Sequence, residues 1–166
     1  MNRVTIADCP FCDSSIYEAA FAESENFRAV YNIAPILPGH SLVIPKWHVQ
    51  SLMDFSESEL CEIMIFGRKV VAILLRAFSV QAFNWTIQEG KEAGQTISHI
   101  HLHLIPRKRK YLRHPGDWYP LLRDNLSSQS EIIESDSRAR LTSDEMRRVV
   151  TYLRDITKES DSIASS

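Results

Sequence analysis

A chain of 166 residues with 44 % hydrophobic and 24 % charged residues is long enough for one substantial core, and a single domain over residues 1–166 is expected. A net charge of -2 excludes a protein that coats nucleic acid through overall basicity, and no strong nucleic-acid feature is evident. The longest apolar runs, such as Val70 to Leu75, fall far short of the roughly 18–20 residues of a membrane span. Three cysteines, two of them as Cys9-Pro-Phe-Cys12, follow no secretory-type apolar leader, so a reducing, cytoplasmic setting is expected.

In chain order, Ile16 to Tyr31 reads as two strands joined by a polar turn at Glu23–Asn26. Pro35, Pro38 and Gly39 then break the chain, and His40 to Ile44 reads as a strand that Pro45 stops. Ser56-x-x-Glu59 is a capping box. After it Leu60, Ile63, Met64, Gly67, Val70, Val71, Leu74, Leu75 and Phe78 recur at helical spacing, predicting a helix over 57–78 in which Cys61 is a small buried hydrophobe. Ala82 to Ile87 and Ile97 to Ile105 are strand-like and can pair as a hairpin across the glycine-containing loop 88–95.

Beyond Arg107 the character changes. Lys108, Arg109, Lys110, Arg113 and His114 form a basic stretch, and 124–140 reads as a polar surface loop. Thr142-x-x-Glu145 opens an amphipathic helix through Met146, Val149, Val150, Leu153 and Ile156. The division expected is a core over about 9–110, an extension over 111–158 and a mobile tail over 159–166.

The segment Ser98-His99-Ile100-His101-Leu102-His103 alternates three histidines with apolar residues. On a strand they share one face, about 6.6 Å apart. Three uses are open: a polar strand face, a three-histidine metal site, or chemical machinery for a phosphate ester or anhydride. Imidazoles in a straight row converge poorly on one ion unless the strand bends. Phosphoryl chemistry needs an anion cradle, and the amides around Gly90, Gly94 and Gln95, with Gln88, can supply one. Cys9-x-x-Cys12 with distant histidines offers a zinc site, a redox pair, or a bare turn with reduced thiols.

The stretch from Gln88 to Arg107 resembles the histidine triad (HIT) signature, His-φ-His-φ-His-φ-φ with φ apolar, preceded by its Gly-Gln loop. The resemblance extends to Cys9–Cys12, Asn32, Pro38-Gly39-His40 and Pro45-Lys-Trp-His48. It implies an α+β, HIT-like fold: an antiparallel sheet of about five strands, one long helix packed on it, a C-terminal helical extension, and assembly as a homodimer.

By the same resemblance His101 is the nucleophile on the α-phosphorus of a nucleotide, His103 serves the phosphate oxygens and leaving group, the His99 carbonyl orients His101, and His40 lines the site. Asn32 matches the position that contacts ribose. Gln88 and Thr96 match positions that approach phosphates, and Gly94 and Gln95 belong to the same loop. Ile33, Ile36 and Leu42 are candidate walls for the base. Gln88 stands where the fragile histidine triad branch, the dinucleoside polyphosphate hydrolases, carries Gln, and His103 argues against the uridylyltransferases. The expected function is hydrolysis of a dinucleoside polyphosphate at its α-phosphate through a nucleotidyl-histidine. The alternatives are a nucleoside phosphoramidate hydrolase and a non-catalytic nucleotide-binding regulatory protein. The basic stretch 107–110 is either a solvated loop or a holder of the second nucleotide's phosphates. Relatives of the zinc-knuckle type imply a structural Zn2+ held by Cys9, Cys12, His48 and His99.

Overall fold

The computed structural model describes residues 4–109, 112, 114–117 and 139–164. Lys110 and Arg113 of the basic stretch, and residues 124–138 of the expected polar loop, lie outside the described residues. A five-stranded antiparallel sheet in the order β1-β2-β3-β5-β4 organises the molecule, with β1 Ala20–Glu23, β2 Phe27–Tyr31, β3 Ser41–Pro45, β4 Ala82–Ile87 and β5 Leu102–Arg107. The β4–β5 hairpin forms as its sequence predicts, with Thr86 opposite His103.

Both faces of the three inner strands are covered, so β2 and β3 are buried along their whole length. One face carries the long helix α2, Glu57–Phe78. It starts at Ser56, whose side chain accepts from the Glu59 amide while the Glu59 carboxylate accepts from the Ser56 amide. Ile63, Phe66, Val70, Ile73 and Leu74 fall on the buried stripe and meet Val43, Leu102 and Leu104 in one core cluster. The stripe is rotated from the expected one. Leu60, Cys61, Met64 and Ile65 are exposed, so Cys61 is not the buried hydrophobe its helical setting suggests.

A second long helix, α3, spans Ser143–Ala164 and opens with a Thr142–Glu145 capping box. It continues past residue 158, through most of the stretch expected to be a mobile tail. Met146, Val150, Leu153 and Ile156 join the α2 core cluster. Arg154 clasps the β1 edge, donating to the carbonyls of Ala20 and Tyr17 at 2.8 Å each.

On the opposite face of the sheet, Cys9, Phe11, Ala20, Val30, Leu42 and Ile44 form a smaller cluster. Here lies α1, Ile16–Ala19, a single turn where the sequence suggests the start of a strand. Its cause is local: the Asp13 carboxylate accepts from the Ser15 amide at 2.8 Å and the Asp13 carbonyl from the Ile16 amide at 3.1 Å, which winds the chain before it can extend.

Candidate active site and metal centre

The expected histidine row is not a continuous strand face. β5 begins at Leu102, and residues 97–99 bend, with the His99 amide donating to the Ile97 carbonyl at 2.8 Å. Only His103 obeys the strand alternation, lying opposite Leu42 on β3 while Leu102 and Leu104 enter the α2 core. The bend turns the His99 ring away from its neighbours, so one short segment serves two sites.

At the first site His99 meets Cys9, Cys12 and His48. Its Nδ1 lies 3.4 Å from the Cys9 Sγ and 3.6 Å from the Cys12 Sγ, and the His48 Nδ1 lies 3.6 Å from the Cys12 Sγ. One donor atom from each residue falls within 4.8 Å of all the others. For metal–sulfur bonds of about 2.3 Å and metal–nitrogen bonds of about 2.05 Å, a tetrahedral edge from sulfur to nitrogen is about 3.6 Å. The cluster therefore has the spacing of a closed tetrahedral shell. Its outer contact fits as well: the His99 Nε2 donates to the Pro45 carbonyl at 3.2 Å, which leaves the Nδ1 lone pair facing the thiols. Burial first, and then the neighbouring His48, push the His99 pKa down to about 4, so the ring is neutral, the form that ligates a metal. Burial likewise raises the Cys12 thiol above its ordinary value. The donors sit on a tight turn, since the Cys9 carbonyl accepts from the amides of both Cys12 and Asp13. These residues suit Zn2+, two thiolates and two imidazoles with no position left for substrate.

At the second site His101 and His103 face a cleft of about 690 Å3, a volume within the usual range of small-molecule sites. The His101 Nδ1 donates to the His99 carbonyl at 2.8 Å, which presents the Nε2 lone pair. Burial holds the His101 pKa below the ordinary imidazole value, against the opposing effect of that carbonyl, so the ring is neutral at physiological pH. Phe11, between the two cysteines, meets the rings of both His99 and His101 edge-on, at 5.6 Å and 5.2 Å. Nothing in the Cys-Pro-Phe-Cys spacing alone assigns Phe11 this place; an apolar residue inside the knuckle is the only hint the sequence offers.

His40 stands behind His103. The Ile36 amide donates to the His40 Nδ1 at 3.2 Å, so the neutral His40 ring carries its proton on Nε2. That proton points at the His103 Nδ1, 2.9 Å away. His103, accepting at Nδ1, carries its own proton on Nε2 and so offers a donor. A backbone amide thus sets two tautomers in succession. Asn32 borders the cleft, with its Nδ2 at 3.4 Å from the His40 Nε2 and its Oδ1 accepting from the Ala34 amide.

Thr96, Ile33 and Leu42 also line the cleft; Gln88, Gly94, Gln95 and Ile36 do not. The Gln95 side chain closes its own loop, accepting from the Gly90 amide at 2.8 Å. Gly94 has φ +90°, and an added Cβ would stand 2.9 Å from the Gln88 Nε2, so the loop is tightly folded on Gln88. Nor does the basic stretch begin at the cleft. Arg107 donates to the Asn84 side chain at 3.0 Å, about 17 Å along β5 from Leu102 at the strand rise, and burial lowers its pKa below the ordinary value.

Residues 13–110 match the HIT domain family. The chain belongs to the HIT family. It is 48 % identical over 89 residues to a bis(5'-nucleosyl)-tetraphosphatase (asymmetrical) of Schizosaccharomyces pombe, covering 54 % of this chain and 49 % of that one. It is 36 % identical over 89 residues to a bis(5'-adenosyl)-triphosphatase of Dictyostelium discoideum, covering 54 % and 60 %. This HIT chain thus spans about half the length of the curated relatives it matches. A zinc-bound histidine triad family protein from Mycobacterium smegmatis shares its fold, with a TM-score of 0.65 and 24 % identity over 94 % of this chain and 97 % of that one.

Proposed function

We propose that the protein hydrolyses dinucleoside polyphosphates at the α-phosphate. The observation that carries this reading is the buried His101, whose Nδ1 is committed to the His99 carbonyl and whose Nε2 faces a nucleotide-sized cleft. The relatives' names, a tetraphosphatase and a triphosphatase of dinucleosides, support the substrate class.

In this reading Asn32 holds the ribose, and Thr96, the one residue of the expected phosphate loop that lines the cleft, serves the phosphates. The His101 Nε2 lone pair attacks the α-phosphorus; the N–P bond forms as the bridging P–O bond breaks, and the electron pair leaves on the departing nucleotide's terminal phosphate. His101 becomes a cation whose Nδ1 keeps its proton and its hydrogen bond to the His99 carbonyl. The His103 Nε2–H stabilises the departing oxygen by hydrogen bonding, and full protonation is unnecessary because a terminal phosphate loses its last proton near pH 6 or so. Water then attacks the same phosphorus, the N–P bond breaks, neutral His101 is regenerated, and a nucleoside monophosphate and a proton are released.

The Cys9, Cys12, His48 and His99 cluster is a structural Zn2+ site in this reading; the ion would fix the His99 backbone without touching substrate. Leu60, Met64 and Ile65 are exposed on α2, beside the edge strand β4. There the Trp85 indole lies 2.8 Å from where a Gly67 Cβ would stand. That apolar surface supports a homodimer. Free thiols poised for metal support a reducing, cytoplasmic setting.

The test is a turnover panel of dinucleoside polyphosphates and nucleoside phosphoramidates. The wild type is expected to prefer the former, and His101→Ala to lose turnover while still binding nucleotide; undiminished turnover in that variant, or a decisive phosphoramidate preference, refutes the reading. Metal content of the purified protein and its mass in solution test the zinc and the dimer.

A further inference from the structure

A nucleotide is laid out as phosphorus, ribose and base in that order, and the cleft offers partners in the same order. From the His103 Nδ1 the line runs to the His40 Nε2 at 2.9 Å, and from there to the Asn32 Nδ2 at 3.4 Å. With the α-phosphorus at His101 and the ribose at Asn32, the base falls at the next residue outward, Ile33. Ile33 lines the cleft and is 50 % exposed, an apolar side chain with half of its surface open.

β1 does not flank this part of the chain, because its pairing with β2 ends at Ala20 opposite Val30. The start of α3 stands there instead: the Leu141 amide donates to the Ile33 carbonyl at 2.8 Å. Leu141 comes immediately before the Thr142–Glu145 capping box, and Met146 immediately after it. Apolar residues at these two positions pack across the first turn of a helix and fix the angle at which the chain enters it. Leu141 is half-buried against the core cluster that contains Met146, and both side chains line the cleft. Further along, Arg154 holds the helix to α1 and β1. This wall is therefore set before any ligand arrives, and all of it lies outside the residues 13–110 that match the family.

We infer that Leu141 and Met146, at the start of α3, complete the pocket for the base of the nucleotide held at His101, beside Ile33. The faces of a heterocyclic base are flat and weakly hydrated, and apolar side chains are what they bury against. α3 is then a specificity element laid onto the HIT core: it contributes affinity for the base and none for the sugar phosphate. The assignment rests on the reading above for the direction in which the nucleotide lies, with its α-phosphorus at His101 and its ribose at Asn32.

The experiment is NMR titration, which follows weak binding, with AMP and with ribose 5-phosphate, which carries the same sugar and phosphate without the base. The wild type is expected to bind AMP at least about tenfold more tightly than ribose 5-phosphate. Leu141→Asn, similar in size but polar, should cut the AMP affinity about fivefold and leave that of ribose 5-phosphate unchanged. Leu141→Met keeps the apolar volume and should retain AMP affinity within about twofold. Equal affinity of the wild type for the two ligands, or wild-type AMP binding by Leu141→Asn, overturns the wall. So does an equal weakening of both ligands, which would mean that the substitution had only loosened the helix. Failure of the catalytic reading would be seen separately, as a wild type that hydrolyses no dinucleoside polyphosphate, while the comparison of AMP with ribose 5-phosphate still decides the wall.

Discussion

The backbone carbonyl of His99 accepts the Nδ1 proton of His101 at 2.8 Å, while the His99 ring itself belongs to the four-donor cluster with Cys9, Cys12 and His48. One residue therefore contributes its side chain to a metal-type site and its main chain to the orientation of a candidate nucleophile. Phe11 adds a second link, since it rises from the cysteine turn to pack on the His101 ring.

Cys12→Ala should accordingly act on catalysis without touching the cleft wall. The expected outcome is lost metal, a lowered unfolding midpoint, and a kcat that falls more than KM rises, because nucleotide contacts remain while His101 loses its fixed orientation. Metal analysis, thermal unfolding and steady-state kinetics on one preparation check it. Wild-type kcat in a metal-free variant would separate the two sites.

The Ile36–His40–His103 chain makes a different prediction. His40→Phe retains a ring of similar shape but removes the proton that holds the His103 Nδ1 as an acceptor. Losing one oriented donor at a reacting phosphate costs on the order of 10²-fold in kcat. Nitrogen-15 chemical shifts of His103 should report its Nε2–H tautomer in the wild type and a mixture in the variant; an unchanged tautomer would break the argument.

How much of this was legible in the chain depended on whether a feature is local or tertiary. The capping boxes at Ser56 and Thr142 and the β4–β5 hairpin are settled within a few residues, and their helices and strands lie where sequence puts them. Period two, by contrast, overextended β5 backwards to Ile97. The bend at 97–99 is held from a distance, by the Ile100 amide on the Val49 carbonyl and the His99 ring on Pro45. Phe11 belongs to the same class: it is ordinary in sequence, an apolar residue in a turn, and gains its place only when separate segments meet over His101.

Acid should weaken the β1–β2 hairpin. Burial alone would raise the Glu23 pKa, but hydrogen bonds and charge from Lys46 at 2.8 Å and Arg28 at 2.7 Å outweigh it and hold the carboxyl below 4.5. A depressed folded pKa contributes stability above the unfolded value of 4.5 and loses it as pH falls through the folded one. Since Glu23 is 40 % exposed, screening keeps the effect below about 1 kcal/mol. Glu23→Gln should lower stability at pH 7 and flatten its decline below pH 4.5, as read by urea unfolding across pH; an unaltered pH profile would contradict the pairing.

Gly39, just before His40, has φ +87°, and an added Cβ would stand 2.7 Å from Pro106 and 2.9 Å from Phe78. Gly39→Ala therefore combines a left-handed backbone with a clash. A cost of about 1–3 kcal/mol is expected from the backbone alone. Denaturant unfolding measures it, and a neutral effect would mean that the turn holding His40 can reshape freely.

The last prediction concerns whether α3 is part of the folded core or an appendage laid on it. Leu153 is completely buried, in the cluster that includes Ile63, Phe66 and Val70 of α2. Leu153→Ala should therefore cost about 2–5 kcal/mol and should lower the single unfolding transition of the whole chain rather than create an early helical one. Because α3 also forms one wall of the cleft, the same variant should loosen nucleotide binding as the helix gains freedom against β1. Circular dichroism and ligand titration on one sample check both. A variant that melts in two steps, with α3 lost first and nucleotide affinity intact, would detach the helix from the site.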